Sequence, residues 1–336
     1  MVNQPIYSMK RYFTLLILIL IFTSCQHDIA KNADFSVCFS SDNTYLAGEP
    51  VRFDIRGDVD NILFYSGETG ARYQYKDRET VHVDSVKTAV LDLSITPLYG
   101  EDAALEVYYS DSFEGLSGVD SRKDSLAIEE ILSSNMEGWK RIDFVEGKRG
   151  QTIKVSADLT DFAGNVSLAF HWNPHVDPKT ETQKTYYIDG TVRCDIKSAL
   201  PNEFTLLDLK PVSFIYSDVD TVVVNDNPYK NTGSGSISLN TSECQICMQG
   251  LAADVDYVSC IDAWVFTTPS SLGHVQSDKG IVIKNMQNNL ESYEYVWNEP
   301  GTYTVTFVGT CASHLGITQQ IRELTVNVME KVEIPF

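Results

Sequence analysis

Basic residues are scarce in this chain. Its 336 residues include 26 Lys and Arg against 46 Asp and Glu, a formal net charge of −20. Such a chain is repelled by phosphate backbones and anionic lipid head groups, which argues against nucleic-acid binding. Long apolar runs are scarcer still. The main one, Tyr12 to Phe22 (YFTLLILILIF), is well short of the roughly 20 apolar residues that a membrane-spanning helix requires. No nucleophile elbow, phosphate-binding glycine loop or HExxH sequence is present. The reading is therefore of a non-enzyme, with no catalytic residue, no metal and no cofactor assigned. The acidic charge is dispersed and apolar content is ordinary, so a folded body is expected.

The apolar run has a different meaning. Lys10 and Arg11 precede it, and Phe22-Thr23-Ser24-Cys25 follows it with small residues directly before a cysteine. Basic, apolar and small-residue segments in that order make residues 1–25 a lipoprotein signal peptide. Cys25 then carries acyl chains and anchors the chain to a membrane, because each buried methylene contributes about 0.8 kcal/mol. Met9 offers a more compact start than Met1. Residues 26–34 (QHDIAKNAD) have no apolar periodicity and read as a tether. The expected address is the outer membrane, lipid-anchored and facing the cell surface, although only Asp28 lies close enough to Cys25 to act as an acidic surface-export signal. Loss of residues 1–25 removes two basic residues and no acids, which leaves a net charge of −22.

Of the seven cysteines, six remain: Cys38, Cys194, Cys244, Cys247, Cys260 and Cys311. Exported proteins tolerate disulfides, but sequence does not choose among the pairings. Cys244-Gln-Ile-Cys247 lacks a second CxxC or a His pair at zinc spacing, so a local disulfide or free thiols explain it more simply than a metal. Cys260 and Cys311 lie in apolar stretches that suit a staple across a sandwich.

The body reads as strands. Short runs rich in Val, Ile, Tyr, Phe and Thr alternate with polar residues between Gly, Asn and Asp turns. Examples are Val51 to Ile55, Ile62 to Tyr65, Ile153 to Ser156, Ser167 to Trp172 and Thr302 to Phe307. The expected fold class is all-β: tandem β-sandwiches with immunoglobulin-like N- and C-terminal units flanking a jelly-roll-like middle unit. The expected boundaries are 35–113, 114–240 and 241–336. Val37, Phe39, Val51, Phe53, Ile55, Ile62, Phe64 and Leu91 are the expected core of the first unit. Lys123 to Asn135 predicts one helix, with Ile128, Ile131 and Leu132 on one face. Residues 231–236 (NTGSGS) read as a loop. Tyr293 to Trp297 and Thr302 to Val308 predict a hairpin closed by a type II turn at Pro300-Gly301, with Tyr303, Val305 and Phe307 on one face.

Exposed aromatic rings beside amides and carboxylates are the residue types that bind sugars, because the ring covers a C–H face and the polar groups take the hydroxyls. Trp172, Trp297, His171, Tyr186 and Tyr187 are the candidate ligand-binding residues. Trp139 and Trp264 are weaker ones, since each begins an apolar strand. Strand phase qualifies Trp172: if Leu168 and Phe170 point inward, His171 points outward and Trp172 inward. One of the adjacent Tyr186 and Tyr187 should face out. His171, His175 and Asp177 invite a metal reading, but Pro174 interrupts their run and a surface loop is simpler. Asp218-Val219-Asp220 and Asn225-Asp226-Asn227 lack the spaced loop and glycine of a calcium motif. Arg56-Gly57-Asp58 reads as a turn rather than an adhesion signal. Glu68, Arg72, Lys76, Asp77 and Arg78 read as a charged hairpin with cross-strand ion pairs.

Three stretches resemble one family. Ala47 to Phe53 followed by Asp60-Asn61-Ile62-Leu63-Phe64-Tyr65-Ser66-Gly67-Glu68 and Tyr73 to Arg78 is the most specific. Gly138-Trp139 with Val166 to Phe170 resembles the middle portion. Ala263 to Phe266, Asp278 to Lys284 and Pro300 to Phe307 resemble the C-terminal portion. The family is the Bacteroidetes surface lipoproteins bearing domain of unknown function 5017. The resemblance spans nearly all of the chain after Cys25. It implies an accessory lipoprotein of a glycan-utilisation system, with glycan and an outer-membrane transporter complex as partners, and it supplies no catalytic residues. The alternatives are a structural or adhesion protein that contacts a partner protein, and a glycoside hydrolase in the middle unit.

Overall fold

From Pro50 to Asp58 alternate residues are apolar, and Val51, Phe53 and Ile55 are all buried. A pleated strand turns successive side chains to opposite faces, so this pattern commits one face to a core. The computed structural model describes residues 32–40, 44–101, 105–162, 164–174, 176, 180–217, 221–224, 236–239, 246–250, 252–253 and 262–331. Among them are many strands and one α-helix, an all-β architecture of several sheets.

In chain order the elements begin with β1 (Asp34–Phe39), β2 (Thr44–Leu46), β3 (Pro50–Asp58) and β4 (Asn61–Tyr65). There follow β5 (Val86–Leu98), β6 (Leu105–Ser110), α1 (Ser121–Ser133), β7 (Lys140–Ile142), β8 (Ile153–Asp158), β9 (Asn165–Trp172) and β10 (Thr185–Ile196). Next are β11 (Asn202–Thr205), β12 (Val212–Ser217), β13 (Thr221–Val224), β14 (Ser236–Leu239), β15 (Ile246–Gln249), β16 (Asp262–Phe266) and β17 (Ser270–Ser271). The chain closes with β18 (Ile281–Lys284), β19 (Ser292–Val296), β20 (Gly301–Ser313) and β21 (Gly316–Met329).

The chain divides into two compact units rather than the three consecutive ones expected at 35–113, 114–240 and 241–336. Unit 1 joins the residues up to Lys76 with those from Asp278 onward, and unit 2 is Asp77–Ser277. The expected N- and C-terminal sandwiches are thus one sandwich, interrupted in sequence by the second unit. The physical reason lies in the pairing. Strand β3 pairs with β1 and β19, and β4 pairs with β18 and β20, so N-terminal strands find their neighbours at the far end of the chain. Leu91, expected in the first core, belongs to the core of unit 2.

Unit 1 packs a three-stranded sheet, β1-β3-β19, against a five-stranded sheet, β18-β4-β20-β21-β2. Its core includes Phe35, Phe53, Ile62, Phe64, Trp297, Val305, Phe307 and Val326, with Val37 and Phe39 partly buried against them. Phe53 meets Phe307 edge-on at 5.2 Å, the arrangement that aromatic quadrupoles favour. The expected hairpin at 293–308 is not one: β19 and β20 lie in different sheets, so the chain arches across the sandwich there. Gly301 does not adopt a positive φ and begins β20 opposite Val328, so no type II turn centres on Pro300-Gly301. The alternation of Tyr303, Val305 and Phe307 holds: Val305 and Phe307 are fully buried and Tyr303 packs against them. Gly57 lies within β3, not in a turn. Its φ is +122° and an added Cβ would meet Asp34 O at 2.3 Å.

Unit 2 is a second sandwich. One sheet runs β14-β15-β10-β5-β8, with β11 also on β10; the other runs β13-β12-β16-β9-β6-β7, with β17 also on β9. Strand β9 is buried on both faces, as its burial pattern shows. Leu168, Phe170 and Trp172 face the inter-sheet core. Ala169 faces the other way, into a smaller cluster with Ile128, Trp264 and Phe266. Helix α1 covers this outer face with Ile128, Ile131 and Leu132, the three residues expected on its apolar side. It starts two residues before the expected Lys123, because Asp120 caps it by accepting the Lys123 N–H at 3.1 Å. It stops at Ser133, where Asn135 and Met136 turn left-handed.

Cys38, Cys194 and Cys311 are free thiols. Cys260, the expected staple partner of Cys311, and the Cys244 half of the CxxC lie outside the described residues, as do Cys25, residues 231–235 of the expected loop and both calcium candidates.

Candidate functional site

The FYSGE segment shows how sequence builds a site in unit 1. Strand β4 alternates, so Ile62 and Phe64 enter the core while Leu63 and Tyr65 face the outer side of the sheet. Ser66 then stops the strand. Its carbonyl accepts the Trp297 indole N–H at 3.2 Å, and its hydroxyl donates to Glu68 at 2.9 Å. Gly67 follows at φ +83°, where a Cβ would sit 2.6 Å from Thr304 O. Only glycine permits both that conformation and that approach. The chain then turns back over the sheet. Gly67 N bonds to Ala71 O, Ala71 N to Glu68 O, and Arg72 N to the Asp278 carboxylate, each at 2.9 Å. A 3-10 turn, Tyr73–Tyr75, ends the loop and sets the Tyr73 ring edge-on to Tyr65 at 5.3 Å. The segment expected to form a charged hairpin is thus a closed loop laid against the sheet.

Between this loop and strands β20 and β21 lies a cleft of ≈ 350 Å³. Arg72, Tyr73 and Gln74 form one wall, and Thr302, Thr304, Thr306 and Glu323 the other. The threonines arise from the alternation of β20, whose opposite face carries Val305 and Phe307. Thr306 stands opposite Glu323 and donates to its carboxylate at 3.4 Å, and Thr302 donates to Asn327 at 3.1 Å. The Arg72 guanidinium is held by Gly67 O at 3.2 Å and Thr69 Oγ1 at 3.0 Å. Tyr303 also lines it, so the cleft combines two tyrosines with a cation, an amide, hydroxyls and a carboxylate. Its volume falls in the range of about 300–1,000 Å³ usual for ligand sites. Behind the loop, burial first and then the bond to Glu68 push the Tyr295 hydroxyl up to about 12.

A second, shallower cleft of ≈ 490 Å³ lies in unit 2, where Phe204, His274, Asn202, Asp208, Lys210 and Ser271 meet. Asp208 is already tied to the N–H and hydroxyl of Thr205, at 2.8 and 2.7 Å.

The candidates chosen from sequence lie elsewhere. Trp172, Trp297 and Tyr186 are wholly buried, which corrects their expected role as sugar platforms. Trp172 sits inward by strand phase and donates its indole N–H to Lys184 O at 3.2 Å. Trp297 follows the exposed Val296, so alternation turns it into the core of unit 1. Tyr186 donates to Glu146, whose other oxygen accepts Lys184 Nζ at 2.7 Å. Each polar tip has a protein partner, which is how buried Trp and Tyr are normally satisfied. Tyr187 is half-buried, so one of the two tyrosines does face outward.

His171 faces outward as strand phase requires. Its ring stacks on Trp264 at 4.1 Å, and its Nδ1 lies 3.0 Å from Glu106. Glu106 also accepts from Tyr108 at 3.0 Å and pairs with Arg141 at 2.8 Å. Burial pushes the Glu106 carboxyl up, but the bonds from His171 and Tyr108 and the Arg141 charge outweigh it and hold the carboxyl below its usual range. Burial and Glu106 raise the Tyr108 hydroxyl to about 12. This is a satisfied cross-strand ladder beside Trp264, which is itself 4% exposed. Trp139 is half-buried against Phe113 and Phe266. His175 and Asp177 lie outside the described residues. Among the described residues no group of His, Cys, Asp or Glu is arranged to hold a metal ion, and no helix is long and apolar enough to cross a membrane.

Sequence reading missed the wall made by Thr302, Thr304, Thr306 and Glu323. Alternating threonines are the ordinary outer face of a half-buried strand, and nothing local connects them to Tyr73.

Neither curated proteins nor solved structures match the chain. The C-terminal stretches named for their resemblance fall outside the residues that the family model matches. Residues 24–189 match the model of the family described as "Domain of unknown function (DUF5017)", which supports that domain over those residues.

Proposed function

We propose that the protein is a non-enzymatic accessory lipoprotein of the Bacteroidetes type, anchored through Cys25 in the outer membrane at the cell surface, and that it binds glycan for a polysaccharide-uptake system. The observation that carries the reading is the unit 1 cleft. Two tyrosines, an amide, three threonine hydroxyls, a guanidinium and a carboxylate line one open groove. That inventory matches a saccharide, which presents an apolar face and a rim of hydroxyls. The lipobox order from Lys10 to Cys25 supports the anchor, and domain 5017 supports an accessory role beside an outer-membrane transporter.

The test uses the full chain in detergent on a panel of plant, host and microbial glycans, read by gel retardation and calorimetry. Retention by one glycan class, with affinity reduced about tenfold in Tyr73→Ala, is expected. A folded protein that retains none of them overturns the reading.

A partner-protein reading has one observation in its favour. Val282, Leu63, Val308 and Ile321 stand in register across β18, β4, β20 and β21 on the outer face of the sheet. Val282 is 63% and Ile321 39% exposed. Crosslinking that captures a transporter through this stripe, without any glycan retention, would favour that reading.

A further inference from the structure

Arg72 is a cation on the wall of the unit 1 cleft. Acidic residues outnumber basic ones 46 to 26, so an arginine has many carboxylates available to it. Arg52 lies beside Asp54 and Glu294, and Arg141 beside Glu106 and Asp143. Arg72 has no carboxylate within 4.0 Å of its guanidinium among the described residues. It is nevertheless held in place. Nε donates to Gly67 O and Nη2 to Thr69 Oγ1, which occupies the inner edge of the guanidinium. The Tyr75 ring lies 6.0 Å from its Cζ. Among the described residues these contacts leave the outer edge, both hydrogens of Nη1 and one of Nη2, without a protein acceptor. That edge is the fork that grips a carboxylate or sulfate with two parallel bonds.

The loop that fixes this fork is itself fixed. Gly67 and Ala71 close it, Asp278 accepts the Arg72 N–H, and Gly70 O accepts the Lys279 N–H at 2.9 Å. An arginine oriented before its ligand arrives loses less rotamer freedom on binding. Across the cleft Glu323 likewise has no ion-pair partner among the described residues, where it accepts from Thr306. One end of the cleft is thus cationic and the other offers acceptors and hydroxyls.

We propose that the unit 1 cleft takes an acidic saccharide, with a uronate carboxylate or a sulfate ester on the outer edge of Arg72 and neutral sugar hydroxyls toward Thr306 and Glu323. This rests on the glycan-binding reading and adds the class of sugar. A neutral glycan leaves the fork with hydroxyls alone, which are weaker acceptors than an anion. The acidic surface of the chain disfavours densely charged polymers, so isolated acidic units among neutral ones suit it best.

The experiment compares matched probes on the full chain: a sparsely de-esterified oligogalacturonate against its full methyl ester, a κ-carrageenan oligosaccharide (one sulfate per disaccharide, no uronate) against its desulfated form, and a neutral galacto-oligosaccharide. An acid probe should bind about tenfold more tightly than its neutralised partner and weaken as salt rises. Arg72→Gln should abolish that preference, and Arg72→Lys should retain part of it, because a point charge lacks the fork. A preference confined to the galacturonate pair identifies the carboxylate, and one confined to the carrageenan pair the sulfate. Because Arg72→Gln also loosens the loop, the salt dependence of the unaltered protein serves as a second readout. Equal binding of acid and neutral forms, or an acid preference that survives Arg72→Gln, overturns the inference and leaves the glycan reading standing. Binding of no probe at all by folded protein overturns both.

Discussion

Tyr295 donates its phenolic hydroxyl to the Glu68 carboxylate at 2.6 Å, joining β19 of one sheet to the loop that leaves β4 of the other. Ser66 donates to the same Glu68 oxygen. One carboxylate thus fastens the loop that carries Arg72 and Tyr73.

Removing that hydroxyl should loosen the loop without opening the core. Tyr295→Phe is expected to cost about 1 kcal/mol in urea denaturation, the usual net worth of a partly exposed hydrogen bond. The pH dependence follows from the raised pKa. The folded value is about 12 against 10.0 for an unperturbed tyrosine. The contribution is therefore fully present below pH 10 and is lost as pH rises toward 12. The gap in stability between unaltered protein and Tyr295→Phe should be flat below pH 10 and shrink above it. A gap that widened there would contradict the structure.

Glu106 gives the opposite sign. Its folded pKa lies below the ordinary 4.5, because His171, Tyr108 and Arg141 favour the carboxylate. The stabilisation is present above the unfolded pKa and disappears as pH falls through the folded value. Glu106→Gln should be less stable than the unaltered protein at neutral pH, and the two should converge in acid. Thermal melts across that range measure it.

Trp172 and Trp297 are predicted to matter for folding and not for ligand. Each is wholly buried with its indole N–H bonded to a backbone carbonyl. Replacement by alanine should cost about 3–5 kcal/mol. Trp297→Phe should be milder and should leave glycan affinity within about twofold. A tenfold affinity loss in a stable Trp297→Phe would restore that tryptophan as a platform.

Gly67→Ala should destabilise unit 1 by more than about 1 kcal/mol, because alanine suits neither the positive φ nor the gap to Thr304 O. Urea denaturation reads the cost. Gly316 is the control: its φ is also positive, but nothing lies within 4 Å of an added Cβ. Gly316→Ala should therefore cost less than Gly67→Ala.

Much of the fold was legible because strand alternation is local. The pleat makes Leu168, Phe170 and Trp172 share a face whatever their neighbours are, and phase alone placed His171 outward. The same rule placed Val305 and Phe307 in the core. Helix α1 was legible from the spacing of Ile128, Ile131 and Leu132, and its start was missed by two residues because the Asp120 cap lies outside the apolar pattern. The candidate site was less legible. Aromatic residues attract notice in a sequence, yet large rings remove the most apolar surface from water when buried. The tryptophans therefore filled cores and clusters, and a tyrosine in a loop lines the cleft.

By itself the sequence determined the all-β character, the inward and outward faces of the strands, the glycine at position 67 and the segments that resemble domain 5017. Tertiary structure alone decided which strands became neighbours. Tyr65 sits opposite Thr306, although the whole of unit 2 separates them in sequence. Alternation sets which way a side chain points but not which strand lies beside it. That choice is made when complementary apolar faces close into one core, and it is what brings Arg72 and Tyr73 to the threonines of β20 and to Glu323.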